Sequence, residues 1–249
     1  MPAGPGMGVI LRRGRLVART AQGEALARAT ALRARCFVDL GGALRDADGH
    51  DARARHLLVE DAAGRALCTL RWRVLAPGEV GLAASAESYD LGPLAARPVR
   101  SMEIGRFCTA PEARDGEALR LALGALTRLV LRERVELLFG CASFPGTDPR
   151  PHRAALDWLG ARHVAPVGLR PGRRGKAETF DLAGTAGAPH AAPAGLPPLL
   201  RSYLGMGAVV SDHAVVDRVM NTIHVLCMLE VAAIPAARAR ALRALAFGP

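Results

Sequence analysis

Residues 56–75 of this 249-residue chain read as two strands, "HLLVED" and "RALCTLRWRVL", joined by "AAG". Three residues between two apolar runs suit a hairpin turn, and a hairpin makes its strands antiparallel. That feature argues against a doubly wound parallel sheet, whose strands need long crossovers. The flanking segments extend the pattern. Residues 8–19 suit a strand or tight hairpin that leads into a helix over the Ala/Leu-rich stretch 21–37, with Thr20 as its N-cap. A polar Gly- and Asp-rich loop, 41–55, precedes the hairpin, and a short helix near 84–91 with a strand over 99–109 follows it.

In 116–133, Leu119, Leu123, Leu126 and Val130 recur at steps of four, three and four, which gives one apolar helical face. A buried strand, "VELLFGCAS", a helix around 152–159, and strands near 162–168 and 177–182 complete a core spanning 1–183. A Pro/Gly/Ala linker, 184–197, leads to a C-terminal segment, 198–249, which completes or caps that core. The segment holds a short helix, a β-branched run, the strand "NTIHVLCMLEV" and a terminal helix opened by Pro235. This order predicts a mixed α/β (α+β) layered fold: a mostly antiparallel twisted sheet flanked by helices.

With 50% hydrophobic and 22% charged residues the chain is globular. Its net charge of +10, carried almost entirely by arginine, favours acidic partners: nucleic acid, an anionic membrane surface or an acidic carrier protein. Aromatics make up only 4% and do not interleave with the arginines, and no helix-turn-helix or zinc-finger pattern occurs, so nucleic acid is set aside. The 5 cysteines are scattered without a CxxC pair, which suits reduced, buried thiols in the cytoplasm. The longest uncharged run, 182–200, is full of Gly and Pro, so contact with the inner membrane would be peripheral.

Four groups of residues could carry chemistry. In "SMEIGRFCTAPE", 101–112, strand alternation puts Glu103 and Arg106 on opposite faces, unless a bulge near Gly105 brings them together. Asp46, Asp48 and Asp51 form an acidic loop without the downstream bidentate glutamate of a calcium site, and no His or Cys spacing suits another metal. His213 and Asp217 make an HxxxD pair, the arrangement in which some acyltransferases use a histidine as base. Cys108 ends the strand with no signature for a histidine base, so it reads as a packed small side chain. The "TAPEARDGEALR" that follows departs from the R/Q-x-x-G-x-G/A loop that cradles the coenzyme A pyrophosphate.

Taken in order, "LRARCFVDLGG", "DADGHD", "HLLVEDAAGRALCTLRWRVL", "EIGRFC", "GCASFPGTDP" and "PPLLRSYLGMGAVVSDHAVVD" resemble the acyl-homoserine-lactone-synthase and N-acyl-amino-acid-synthase branch of the GNAT acyltransferases. They resemble the L-ornithine Nα-acyltransferase family more closely still. The resemblance implies transfer of a (3-hydroxy)acyl chain from acyl carrier protein to the α-amine of ornithine, giving lyso-ornithine lipid with no separate cofactor. Homoserine-lactone or N-acyl amino acid signal synthesis is the alternative, as is an acyltransferase that uses His213 and Asp217. By position, the resemblance makes Arg33 and Phe37, Asp48 and Asp51, Arg71, and Glu103 with Arg106 site residues. Glu103 would take the amine proton, and the backbone of Phe107, Cys108 and Thr109 would stabilise the oxyanion. Asp48 and Asp51 would meet a cationic acceptor. A tryptophan expected after the Arg-x-x-x-Phe motif has no counterpart near position 43.

Overall fold

Apolar alternation starts at an N-terminal hairpin, β1 (Val9–Arg13) and β2 (Leu16–Thr20), which leads into α1 (Glu24–Val38). The computed structural model describes residues 8–38, 48–113, 116–182 and 193–248; Asp46 and most of the 184–197 linker lie outside them. Thr20 belongs to β2 rather than capping α1, which begins four residues later. The hairpin read from the sequence is β3 (Arg55–Glu60) and β4 (Ala66–Leu75). In place of a helix over 84–91 there is a 3-10 turn at Ala84–Glu87, then β5 (Tyr89–Asp90) and α2 (Gly92–Ala95). Next come β6 (Ser101–Thr109), α3 (Glu117–Arg132), β7 (Leu137–Pro145) and α4 (Arg153–Arg162).

The strand expected near 162–168 does not form. Pro166 cannot donate to a ladder, and only Val164 makes an isolated bridge, to Val210. Beyond it lie β8 (Gly172–Arg173), paired with β5, and β9 (Thr179–Asp181). The C-terminal part supplies α5 (Pro198–Leu204), β10 (Val209–Val210), β11 (His213–Asp217), β12 (Thr222–Glu230) and α6 (Ala236–Phe247). Strands β11 and β12 are interior members of one 10-stranded sheet, in the order β1-β2-β3-β4-β6-β7-β12-β11-β9, with β10 also on β12.

Helices cover both faces, and the alternation along β3 shows which. Leu58 packs with Ala25 and Ala29 of α1, whereas Leu57 and Val59 pack with Leu121, Leu126 and Leu129 of α3. Helix α3 meets α6 so closely that a Cβ on Gly124 would lie 2.7 Å from the Leu245 carbonyl oxygen and 2.9 Å from a Leu11 methyl. Gly124→Ala is therefore expected to destabilise the fold by about 1–3 kcal/mol, although alanine is the better helix former. A melting temperature equal to or above that of the parent would contradict this.

One junction differs from the rest. The β6–α3–β7 unit is a crossover, so β6 and β7 run parallel while all the other strand pairs of the sheet are antiparallel. Their pairing covers only Ser101↔Leu137, Met102↔Leu138 and Glu103↔Phe139. Beyond Glu103 the strands part, while β7 stays paired with β12 over its whole length.

Candidate active site

The parting of β6 and β7 opens a cavity of about 470 Å³ that reaches both faces of the sheet. On the α1 face its wall is polar: Asp48, Arg71, Glu103, Arg106, Asp217 and His224. On the α3 face it is apolar, with Leu126 and Val130 of α3, Leu200 and Tyr203 of α5, and Leu242 of α6 among its walls. Cys141 lies deep in the molecule yet is exposed, and the surface it exposes is cavity wall; burial pushes its thiol well up, so it is not a ready thiolate.

The strand's alternation breaks where the site begins. Arg71 faces Gly105 and Thr69 faces Cys108, so β6 carries an extra residue, and Arg106 holds a φ of 54°. Ile104 and Phe107 pack on the α3 face. Arg106 is turned instead to the α1 face, where its Nη2 donates to Asp48 Oδ2 at 3.1 Å and its guanidinium lies 5.8 Å from the Phe37 ring centre. The bulge therefore puts Glu103 and Arg106 on one face. A regular ladder would have separated them.

Glu103 is held by the loop that precedes β5. Its Oε1 accepts the Ser85 N–H at 2.8 Å and the Ser85 hydroxyl at 2.7 Å, and its Oε2 accepts the Ala84 N–H at 2.9 Å. Both oxygens are fixed, and Oε2 keeps one lone pair for the cavity. Nothing in the local sequence announces this partner, because it lies in a segment that reads as helix.

Arg33, fully buried on α1, makes a bidentate pair with Asp51 at 2.8 and 3.2 Å. Arg71 donates to Asp51 at 2.9 Å and also to Asp48. The two acids that the family resemblance sets against a cationic acceptor are thus already bound by three guanidinium groups. Burial alone would raise the Asp51 carboxyl, but hydrogen bonds from Arg33 and Arg71 outweigh it and hold the group down at about 2. Burial also pushes His56, which lies against Arg33 and Asp51, towards its neutral form.

A carboxylate depressed in the folded state adds stability above its unfolded value and loses it as pH falls through the folded one. The contribution of Asp51 is therefore complete above its ordinary value of 3.8 and is lost on acidification towards about 2. The melting temperature is expected to drop over that interval in the parent and less steeply in Asp51→Asn. Parallel curves would contradict this assignment.

The remaining residues fall at different distances from the cavity. Phe107 lines it. Cys108 and Thr109 sit opposite Thr69 and Cys68 in the β4–β6 ladder, and the Thr109 carbonyl accepts from the Cys36 thiol at 3.4 Å. His213 and Asp217 are not brought together. Four residues apart on β11, they stand about 13 Å from one another along the strand. His213 is buried, with Nδ1 2.7 Å from Asp212 and its ring tilted on Tyr89, whereas Asp217 reaches the cavity. Sequence reasoning also passed over His224, although a histidine inside the apolar run of β12 is a visible signal.

Residues 32–124 match the model of an acetyltransferase (GNAT) domain. The loading GNAT-like domain of CurA from Lyngbya majuscula shares the fold at 14% identity, covering 88% of this chain and 99% of that one with a TM-score of 0.51. The layered sheet opened at one parallel junction is thus a GNAT fold, and two relatives make the chain an acyltransferase. It is 34% identical over 92% of its length to an L-ornithine N(alpha)-acyltransferase of Rhizobium meliloti, covering 84% of that protein. It is also 40% identical to one of Rhodobacter capsulatus, over 62% of this chain and 60% of that relative's length. The chain belongs to the L-ornithine N(alpha)-acyltransferase family. Among the described residues no helix is long and apolar enough to cross a membrane.

Proposed function

We propose that the protein transfers a (3-hydroxy)acyl chain from acyl carrier protein to the α-amine of L-ornithine in the cytoplasm, giving lyso-ornithine lipid. The observation that carries this reading is the cavity in the β6–β7 gap, which joins a fixed carboxylate on one face to an apolar channel on the other. The acyl chain would lie among α3, α5 and α6, each buried methylene contributing about 0.8 kcal/mol. The acceptor amine would approach from the face of Glu103. The thioester carbonyl would sit in the gap between them.

An attacking amine must first lose a proton, and the uncommitted lone pair of Glu103 Oε2 is placed to take it, directly or through one water. The amine nitrogen then bonds to the carbonyl carbon, and collapse of the tetrahedral intermediate expels the carrier thiolate, which recovers a proton. Backbone alternation supports Phe107 as an oxyanion donor: the Ala110 N–H turns to Leu67, so the N–H of Phe107 points away from β4 and towards the gap. Arg106, on the Glu103 face, would hold the acceptor carboxylate. The scheme uses no cofactor beyond the acyl thioester. The surplus of arginine, within a net charge of +10, suits an acidic carrier protein and a peripheral contact with anionic lipid.

The test is incubation of the purified protein with 3-hydroxyacyl carrier protein and either ornithine or homoserine lactone precursors, followed by mass spectrometry. N-acyl ornithine is the expected product. An acyl-homoserine lactone in its place, or turnover only with acyl-coenzyme A, would overturn the reading.

A further inference from the structure

A basic amino acid acceptor carries a second positive charge, and the site must neutralise it somewhere. The Asp48–Asp51 cluster is poorly suited to that task. Three guanidinium groups, from Arg33, Arg71 and Arg106, bind its two carboxylates, so the cluster keeps a net positive charge. Glu103 is committed to the loop amides and to the reacting amine.

The cavity wall has another acid. Asp217 ends β11, and its Oδ1 accepts the N–H groups of Val219 and Met220 at 3.0 and 2.9 Å. That capping fixes the side chain, and its second oxygen has no hydrogen-bond partner among the described residues. Beside it on the adjacent strand is His224. The register pairs Val215 with His224 and Asp217 with Thr222, so Asp217 and His224 are diagonal neighbours on one face, within reach of a shared ligand.

His224 is 4% exposed and also lines the cavity. Tyr89 Oη donates its proton to the His224 carbonyl at 2.8 Å and lies 3.2 Å from Nδ1. With the phenol proton committed, Nδ1–H is the donor to Oη, and Nε2 presents a lone pair with no partner among the described residues. Burial pushes the imidazole down to about 4, so at neutral pH this nitrogen accepts a hydrogen bond and does not repel a cation.

Resting on the ornithine reading above, we propose that Asp217 and His224 form the subsite for the side-chain ammonium of the acceptor. The carboxylate oxygen supplies the charge, and the imidazole Nε2 takes one of the three N–H donors. The subsite would set the preference for basic over neutral amino acids of the same length.

Asp217→Asn is the appropriate variant, because the amide oxygen can still cap Val219 and Met220 while the charge is removed. Turnover of ornithine and of norvaline, which lacks the δ-amine, is measured for the parent and the variant with one acyl donor. The parent should prefer ornithine, and the variant should lose at least about tenfold of that preference. His224→Leu, which removes the acceptor nitrogen and keeps an apolar side chain, should lower the same ratio and provides the test if Asp217→Asn does not fold. An unchanged ornithine-to-norvaline ratio in the folded variants would overturn the subsite while leaving the acyltransfer reading intact. Failure of the parent protein to acylate ornithine would overturn both.

Discussion

Replacing Glu103 with glutamine is expected to lower turnover by about 10²- to 10⁴-fold, the usual contribution of a positioned general base. The substitution keeps the shape of the side chain and removes its capacity to take a proton. It also disturbs the anchor: Oε1 receives two donors from Ser85 and Oε2 one from Ala84, so an amide NH₂ in either place faces another donor. A stability loss of about 1–3 kcal/mol should accompany the kinetic one. Single-turnover rates, measured well below the variant's melting temperature with saturating acyl donor and ornithine, separate the two effects. Ser85→Ala keeps the carboxylate and removes one donor, so it should cost much less activity. If the two variants were equally slow, Glu103 would be acting only as a strut.

Gly140→Ala should cost about 4 kcal/mol or more, the upper range for a single substitution. A Cβ there would sit 2.0 Å from the Ile104 carbonyl oxygen, a backbone atom of β6 at the point where the two strands begin to part. The neighbour cannot rotate away as a flexible side chain would, so β6 and β7 must move apart. Glu103 and Phe107 line the cavity from β6 on either side of Ile104, so the same movement should abolish acyltransfer. Denaturant unfolding monitored by far-ultraviolet circular dichroism would read the loss. A midpoint within the error of the parent protein would contradict the close approach.

The sequence announces the hairpin of β3 and β4, the apolar face of α3 and the strand that carries Glu103, because each depends on local periodicity or on a short turn. It also holds the motif order that leads to the family. The α1-face geometry depends on a register shift. Arg106 shares a face with Glu103 only because the backbone turns through a φ of 54°, and no pattern of side chains encodes that turn. The loop acids were visible, but their saturation by Arg33 and Arg71 required knowing that α1 and β4 converge on residues 48–51. Asp217 was visible only as a partner for His213. Its actual neighbour on the cavity wall, His224, is across a strand pairing that spacing in the chain cannot supply.

The antiparallel pairing of β7 with β12 has a consequence for synthesis on the ribosome. Strand β7 is complete at Pro145, yet its partner begins only at Thr222. At about 5–20 residues per second, that edge waits several seconds for its mate. Throughout the wait, one wall of the cavity is an open strand edge with its amides and carbonyls unpaired, a ready template for another nascent chain. The gap between β6 and β7 can take a defined shape only once residues 222–230 have emerged. Expression rate and chaperone supply should therefore govern the yield of active protein more strongly than they would for a fold that builds its site from the N-terminal half alone.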